Sequence, residues 1–524
     1  ALTQKSLDFE NCLSNTGRTF CVLPSLIGSL PFGKKGFMEL ETSPNRHTLF
    51  SILKNDGYFT SFLQGTNSSF DNVDNFLVEE NVDFVLERSR FGDGYELSPA
   101  DASGSSWGYT DRELFRKSFS LKRDIKGPKL DVYMTISNHE PFIPPKQAYF
   151  ERQVEKLLKT SKLNRKAKRV VDKNKNVFAT LLYTDDAIKY FMESYKRQNK
   201  NYENTIFIIT GDHRLVPIRQ RNTLSRFHVP LIMYSPMLKA PKKVSAINSH
   251  FDVTPSILSL LKEKYNIAMP IKTAWMGGGL DMETSFRGTK SIPLMRNKNE
   301  LKEYVHNNKF FSDGDVYKID KNMNLSSASD SKLKKMLNDF KSMNAYVTGN
   351  NKIIPDSLSI FKVEKEVFTE EEMVYINSVL TENNFDKAYM VARELAFDKE
   401  RENALLVCRY ILSNVPSHID TKILSGRVNA WEGNYETAKE IFLECIKTNP
   451  FYDDPYAALL DVYFWSDRDK PALALLDVIK ENSIKSKDVN KRVSRAIRQA
   501  KKNSASVAKK KPKTKDEVSE IQFE

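Results

Sequence analysis

Thr205-Ile206-Phe207-Ile208-Ile209-Thr210-Gly211-Asp212-His213 is the stretch that decides how the first part of this chain is read. A run of β-branched and aromatic residues stopped by a glycine predicts a buried strand. Open α/β sheets gather their ligands at the carboxyl ends of such strands. Asp212 and His213 therefore stand where chemistry is expected. A carboxylate beside an imidazole suits a divalent cation such as Zn²⁺ or Mn²⁺, although a Gly-Asp-His triplet alone also occurs in ordinary turns.

Working outward, residues 130–137 and 229–236 read as two further strands, the first followed by Asn138-His139-Glu140-Pro141-Phe142. His250-Phe251-Asp252-Val253-Thr254-Pro255 opens a helix. Strands alternating with helical stretches predict an α/β, doubly wound sheet with helices on both faces. Three of the chain's seven histidines, His139, His213 and His250, fall just after a strand or just before a helix, which points to convergence at one sheet edge. A mixed segment to about residue 365, including Phe310-Phe311-Ser312-Asp313-Gly314-Asp315-Val316-Tyr317-Lys318-Ile319, alternates enough to add a short strand or two to the sheet edge.

The C-terminal third carries a repeat. Ala404, Ala438 and Ala472 are spaced by 34 residues, as are Pro416 and Pro450, Cys408, Phe442 and Leu476, and Ile411, Cys445 and Ile479. That period is the tetratricopeptide signature, and Gly426 takes the small-residue position where two helices of a repeat approach closely. Three units over about 385–486 predict a short solenoid, a scaffold that binds proteins or peptides and has no chemistry of its own.

With 524 residues, of which 32 are Phe and 21 Tyr, the chain can build several cores. Its formal charge of +13 owes much to a lysine-rich end from Lys501 to Lys515, expected as a solvated, disordered tail or one drawn to anionic lipid or polyanion. No aromatics interleave with the basic residues as in a nucleic-acid reader, so a nucleic-acid partner is not expected. Cys12, Cys21, Cys408 and Cys445 show neither zinc-ribbon spacing nor a disulfide framework. No apolar run is long enough to span a bilayer. Residues 1–7 read as the middle of a helix whose preceding part has been cut away.

Four further motifs give the chain a family resemblance. Thr16-Gly17-Arg18-Thr19-Phe20-Cys21-Val22-Leu23-Pro24-Ser25, Trp107-Gly108-Tyr109-Thr110-Asp111, Ser137-Asn138-His139-Glu140-Pro141-Phe142 and His250 to Ser256 stand, with Gly211-Asp212-His213, in the order seen in the sulfatase-like branch of the alkaline phosphatase superfamily. Over roughly residues 1–310 the chain resembles its lipoteichoic acid synthase and phosphoglycerol transferase group. The resemblance implies Thr19 as nucleophile and metal ligand, Asp212 and His213 as further ligands, and one divalent ion, Mn²⁺ or Zn²⁺, with Mg²⁺ as an alternative. Coordination to a dication is one of the few ways to activate a threonine hydroxyl near neutral pH. It further implies that His139 contacts the transferred group or protonates the leaving oxygen, and that His250 supports the same pocket. Arg18, Asn67, Trp107 and His228 are the substrate-binding candidates. Arg18 could touch the phosphate or a neighbouring carboxylate, and His228 could be catalytic or structural.

A lipid-linked or head-group phosphodiester such as phosphoglycerol is the implied substrate. Membrane anchoring through a preceding region, with the catalytic domain outside the cytoplasm, is the implied location. The group's fourth ligand is an acidic residue on a first strand that would precede Ala1. Its His, Trp and Arg that help hold glycerophosphate are replaced here by Gln64, Asp71 and Val73. The rival readings are a sulfuric ester hydrolase, which needs Cys-x-Pro-x-Arg where Cys21 is followed by Val22, Leu23, Pro24 and Ser25, and a degenerate enzyme acting as a repeat-based scaffold. The expected domains are a sulfatase-like catalytic domain over 1–365, tetratricopeptide-like helical repeats over 366–500 and a basic tail over 501–524.

Overall fold

A computed structural model describes residues 2–40, 43–68, 70–100, 104, 106–121, 125–360, 366–380, 385–415 and 418–509. The chain divides into two compact units, Ala1–Arg88 with Tyr95–Glu364, and Ser89–Gly94 with Lys365–Glu524.

The larger unit contains strands β1 (Leu7–Leu13), β2 (Phe59–Gln64), β3 (Phe84–Leu86), β4 (Lys129–Met134), β5 (Phe207–Thr210), β6 (His228–Tyr234), β7 (Lys242–Val244), β8 (Asn248–Ser249), β9 (Ser291–Met295), β10 (Leu301–His306), β11 (Lys309–Ser312), β12 (Asp315–Ile319) and β13 (Leu325–Ala328). Its helices are α1 (Val22–Gly28), α2 (Leu49–Asn55), α3 (Val73–Glu79), α4 (Asp111–Ser120), α5 (Gln147–Thr160), α6 (Arg165–Lys173), α7 (Lys175–Gln198), α8 (Val253–Tyr265) and α9 (Ser331–Gly349).

One sheet runs β5-β6-β1-β7 with β8 also on β1, a second is the parallel β3-β2-β4, and a third is β13-β12-β11-β10-β9. The first sheet is mixed, which corrects the doubly wound expectation. β6 is antiparallel to both β5 and β1. The reason is local: residues 211–227 hold only a single 3₁₀ turn at Leu224–Arg226 and no crossover helix, so the chain returns beside β5 in the opposite direction. β1 was not foreseen. A single 3₁₀ turn, Thr3–Lys5, precedes it where a helix was expected, and Phe9, Cys12 and Leu13 are at most 1% exposed. Residues 291–328 form their own antiparallel sheet rather than extending the first. Tight turns at Asn307 (φ +54°) and at Asp313 and Gly314 (φ +51° and +99°) fold β11 back onto β10 and β12 back onto β11.

Phe9 and Leu231 from the first sheet and Phe62 from the second share a core with Ile27, Phe50, Phe251 and Leu258 from the helical side. A second helical layer is aromatic. Phe191 on α7 lies 5.2 Å from Tyr133 on β4 and 6.4 Å from Phe207 on β5, ring centre to ring centre.

The smaller unit is helical: α10 (Glu370–Val379), α11 (Phe385–Phe397), α12 (Arg401–Asn414), α13 (Ile419–Trp431), α14 (Tyr435–Thr448), α15 (Asp454–Trp465), α16 (Asp469–Glu481) and α17 (Lys487–Lys509). Ala404, Ala438 and Ala472, one period apart, are all buried. At Gly426 a Cβ would stand 2.6 Å from the Phe442 ring, so α13 and α14 could not approach as they do with any larger residue there. Pro416 lies outside the described residues. The last helix continues through Lys509, past the boundary expected at 500, and 510–524 lie outside the described residues. All four cysteines are free and buried. Among the described residues no helix is long and apolar enough to cross a membrane.

Candidate active site

The strand-end reading of Asp212 and His213 meets its partner 193 residues earlier. Thr19 Oγ1 donates to Asp212 Oδ2 at 2.8 Å and lies 3.4 Å from His213 Nε2. His213 Nε2 is in turn 3.3 Å from Asp212 Oδ2. Three donor atoms of different types thus form a small triangle. A tetrahedral ion with bonds of about 2.0–2.1 Å keeps its ligand atoms roughly 3.3 Å apart, so the triangle has the dimensions of one face of such a site. His213 Nδ1 pairs with the Arg214 carbonyl at 2.7 Å; as the donor there it leaves the Nε2 lone pair facing Thr19 and Asp212. Among the described residues no group of three or more His, Cys, Asp or Glu is placed to hold a metal, so this face lacks a further anionic ligand.

Thr19 is placed by a clamp that nothing in the local sequence announces. Thr16 bridges Met295 on β9, the Gly17 amide donates to the Met295 carbonyl at 2.9 Å, and the Met295 amide donates to the Asn15 carbonyl at 2.9 Å. The buried Asn15 Oδ1 accepts from the Phe251 amide at 3.1 Å. Gly17 is required by this crowding: a Cβ there would lie 2.6 Å from the Arg296 carbonyl oxygen. The nucleophile candidate is thereby fixed between the third sheet and the 3₁₀ turn that leads into α8.

His250 is fully buried and reaches the site indirectly. Its Nε2 is 3.0 Å from Thr210 Oγ1, and that hydroxyl donates to the Pro230 carbonyl at 2.8 Å. His250 therefore braces the end of β5, two residues before Asp212, while its Nδ1 is buried with no partner among the described residues. Burial pushes its pKa down to about 4, against the opposing pull of the Asp212 charge and the Gly211 backbone. An unfolded histidine near 6.5 binds protons that the folded one refuses, so this contribution to stability is complete above about pH 6.5 and is lost toward pH 4, by about 1.4 kcal/mol per pH unit. The thermal midpoint of the wild type should fall more steeply between about pH 7 and 5 than that of His250→Asn. Parallel slopes would show that His250 is not the group responsible.

His139 follows β4, is exposed, and packs against Trp107 with ring centres 4.3 Å apart and the planes tilted by 54°. The Trp107 and Asn67 loops are held together by glycines at a close crossing. The Tyr109 amide donates to the Gly65 carbonyl at 2.9 Å, and a Cβ on Gly108 would stand 2.1 Å from that oxygen. Asn67 and Arg18 are exposed. His228 is not brought to Thr19; its Nε2 is spent on the Glu10 carbonyl at 2.7 Å. Of the three replaced positions, Gln64 is buried with both amide atoms unpartnered among the described residues, Asp71 pairs with Lys298 at 3.1 Å, and Val73 is core. None of the three presents a cation or an imidazole.

Two arginines were missed. Burial, and then the charges of Arg226 and Arg18, hold the Arg214 guanidinium below its ordinary pKa, so three guanidiniums share the neighbourhood of Thr19 and favour an anionic ligand. Arg214 directly follows His213 and could have been noticed, whereas Arg226 becomes a neighbour only through the return of β6. Cys21 is buried, accepts from the Phe37 amide through Sγ at 3.3 Å, and burial pushes its thiol up to about 12. It is in no position to serve as a nucleophile.

A family model described as Sulfatase matches residues 1–263. Among curated relatives, the lipoteichoic acid synthase-like YvgJ of Bacillus subtilis (strain 168) is 23% identical over 274 residues, covering 49% of this chain and 39% of its own. The lipoteichoic acid synthase of Staphylococcus aureus (strain USA300) is 24% identical over 273 residues, 48% of this chain and 38% of its own. The matched region thus spans well under half the length of these relatives. A solved structure of an alkaline phosphatase superfamily protein from Vibrio parahaemolyticus aligns with a TM-score of 0.49 at 20% identity, covering 68% of this chain and 81% of the other.

Proposed function

The chain belongs to the sulfatase family, and from that premise we propose that it is a metal-dependent phosphoryl-group transferase or phosphodiesterase that works through Thr19. The observation that carries this reading is the 2.8 Å contact from Thr19 Oγ1 to Asp212 Oδ2, with His213 Nε2 completing the triangle. Thr19, Asp212 and His213 would hold one divalent ion, Mn²⁺ or Zn²⁺, together with one acidic ligand that the described residues do not supply. Such an ion supplies the positive charge that lowers the threonine's pKa and offsets charge on the phosphoryl oxygens.

The residues divide the rest of the work. Asp212 orients the Thr19 hydroxyl and accepts its hydrogen. Thr19 Oγ then bonds to phosphorus as the bond to the leaving oxygen breaks, and His139 gives that oxygen a proton. An acceptor hydroxyl or water attacks the phosphothreonine in the second half, its proton going to His139, while the departing Thr19 oxygen takes back the proton held by Asp212. A positioned acid of this kind contributes about 10² to 10⁴ in rate. Arg18, Arg214 and Asn67 bind the anionic substrate, Trp107 fixes the His139 ring, and His250 positions β5 through Thr210 without touching the substrate.

The named activities of the curated relatives favour a lipid-linked phosphoglycerol-type donor, and with it a membrane-anchored protein whose catalytic part lies outside the cytoplasm. Gln64, Asp71 and Val73 argue for a head group held differently from glycerophosphate. The helices of the smaller unit, with their 34-residue period, are proposed as tetratricopeptide-like repeats that engage a protein or peptide. The test is a denaturing quench during turnover of a nitrophenyl phosphodiester with Mn²⁺, followed by peptide mass spectrometry. A phosphoryl adduct on Thr19 is expected, and turnover with an adduct elsewhere would end the proposal. Preferential cleavage of an aryl sulfate would move the chain to the sulfuric ester hydrolases.

A further inference from the structure

Between β4 and β5 the chain makes a helical excursion, α5 to α7, that serves no part of the chemistry above. α7 has 24 residues and is about 36 Å long. Its level relative to the sheet is set by hydrogen bonds. Tyr183 Oη donates to Thr110 Oγ1 at 2.7 Å and Thr184 Oγ1 to Asp111 Oδ2 at 3.1 Å. Asp111 Oδ1 accepts the amides of Ile136 and Ser137 at 3.0 and 2.9 Å, just past the end of β4. Tyr183 thus marks the carboxyl edge on which His139 sits. From Phe191 onward α7 lies against the sheets, so its first turns, Lys175 to Leu182, extend roughly 12 Å beyond that edge. α5 packs along this projecting part, with Phe150 on Tyr183 at 5.6 Å and Glu155 on Lys175 at 2.7 Å. Its small core is Phe150, Val154, Ala179 and Tyr183. The result is an arm standing out on the catalytic side.

The surface of the arm is cationic and apolar together. From Lys156 to Lys175 there are nine Lys or Arg against one acid, Asp172. Lys159, Lys162, Arg165, Lys166, Arg169 and Lys173 are exposed. Among the described residues the carboxylates near them, Glu155 and Asp172, are both engaged by Lys175. No residue of α6 is fully buried and only Val171 packs partly against that small core, and a nine-residue helix gains little from propensity alone. Beside these charges Leu157, Leu163 and Val170 are 54%, 47% and 40% exposed. A solvated face has no use for three large apolar side chains at its tip, and a soluble polyanion would not need them.

We propose that this arm docks on the surface of an anionic bilayer, its lysines and arginines among the head-group phosphates and Leu157, Leu163 and Val170 in the acyl boundary, so that the His139 edge faces the lipid. Cationic amphipathic helices bind in this manner, and each surface cation adds to the attraction.

Sedimentation of the full chain with vesicles provides the test, and it needs no turnover, so its outcome is independent of the chemistry at Thr19. The protein should bind equimolar phosphatidylglycerol and phosphatidylcholine, release at high salt, and ignore pure phosphatidylcholine. Lys162→Glu with Lys166→Glu and Arg169→Glu should lower binding roughly tenfold or more. Leu157→Ser with Leu163→Ser should lower it several-fold, with thermal unfolding and nitrophenyl phosphodiester turnover unchanged in both variants. Unaltered binding by the charge-reversed variant, or equal binding to neutral vesicles, overturns the proposal. Loss with the charge variant but none with the serine variant assigns the arm to a soluble polyanion and overturns it as well. Should either variant unfold, the wild type alone decides: binding that high salt does not release rules the docking out.

Discussion

Replacing Thr19 by alanine is expected to lower kcat for phosphodiester cleavage by at least about 10³-fold, because it removes the attacking oxygen and one donor atom of the metal face together. The surrounding structure should be indifferent to the change. The backbone at Thr19 is set by Thr16 and Gly17 on Met295 and by Asn15 on Phe251, none of which uses the Thr19 side chain. Thermal stability should therefore stay near that of the wild type, and any loss of rate is chemical. Thr19→Ser restores a hydroxyl without the methyl group and should recover most of the activity, with the adduct now on serine. Steady-state kinetics on a nitrophenyl phosphodiester, run beside a melting curve, separate these cases. An alanine variant that retains more than about a tenth of the rate would leave Thr19 with no role as nucleophile.

The parts of this site that were legible in the sequence share one property: their signals are local. The apolar run of β5 ends in Gly211, so Asp212 and His213 could be placed at a strand end before any partner was known. The order of motifs then supplied Thr19. β1 lacked such a signal, since Asp8, Glu10 and Asn11 interrupt its apolar residues, and the buried Asn11 donates to the distant Ser245 carbonyl at 2.7 Å. The direction of β6 was hidden because it depends on what residues 211–227 do not contain, a crossover helix. The Asn15–Met295 clamp joins residues 280 positions apart and has no periodicity to betray it. Histidine as a residue type was a poor guide by itself. His228 and His250 look as reactive as His213 in the bare sequence, yet one is bonded to a main-chain carbonyl and the other is sealed beneath Thr210.

Asp212→Asn tests the metal separately from the nucleophile. The carboxylate accepts the Thr19 hydroxyl and carries the only formal negative charge in the triangle of donor atoms, whereas an amide would present one neutral oxygen and an NH₂ that repels a cation. Losing an outer partner of a metal ligand already costs about 10- to 100-fold in metal affinity, so losing the ligand itself should cost more than roughly 100-fold. The wild type should lose activity on dialysis against a chelator and regain it with Mn²⁺ or Zn²⁺. The asparagine variant should need far more metal and should still fall short at saturation, because the acceptor for the Thr19 hydrogen has gone as well. His213→Gln gives the contrast: it removes a neutral ligand but leaves Asp212 on Thr19, so saturating metal should bring its rate closer to the wild type. Isothermal titration of each protein with Mn²⁺ reads the affinities, and metal-dependence curves of the rate read the ceilings. Chelator-resistant turnover by the wild type would remove the cation from the mechanism and leave Asp212 as a plain general base, in which case Asp212→Asn and His213→Gln would reach the same rates with and without added metal.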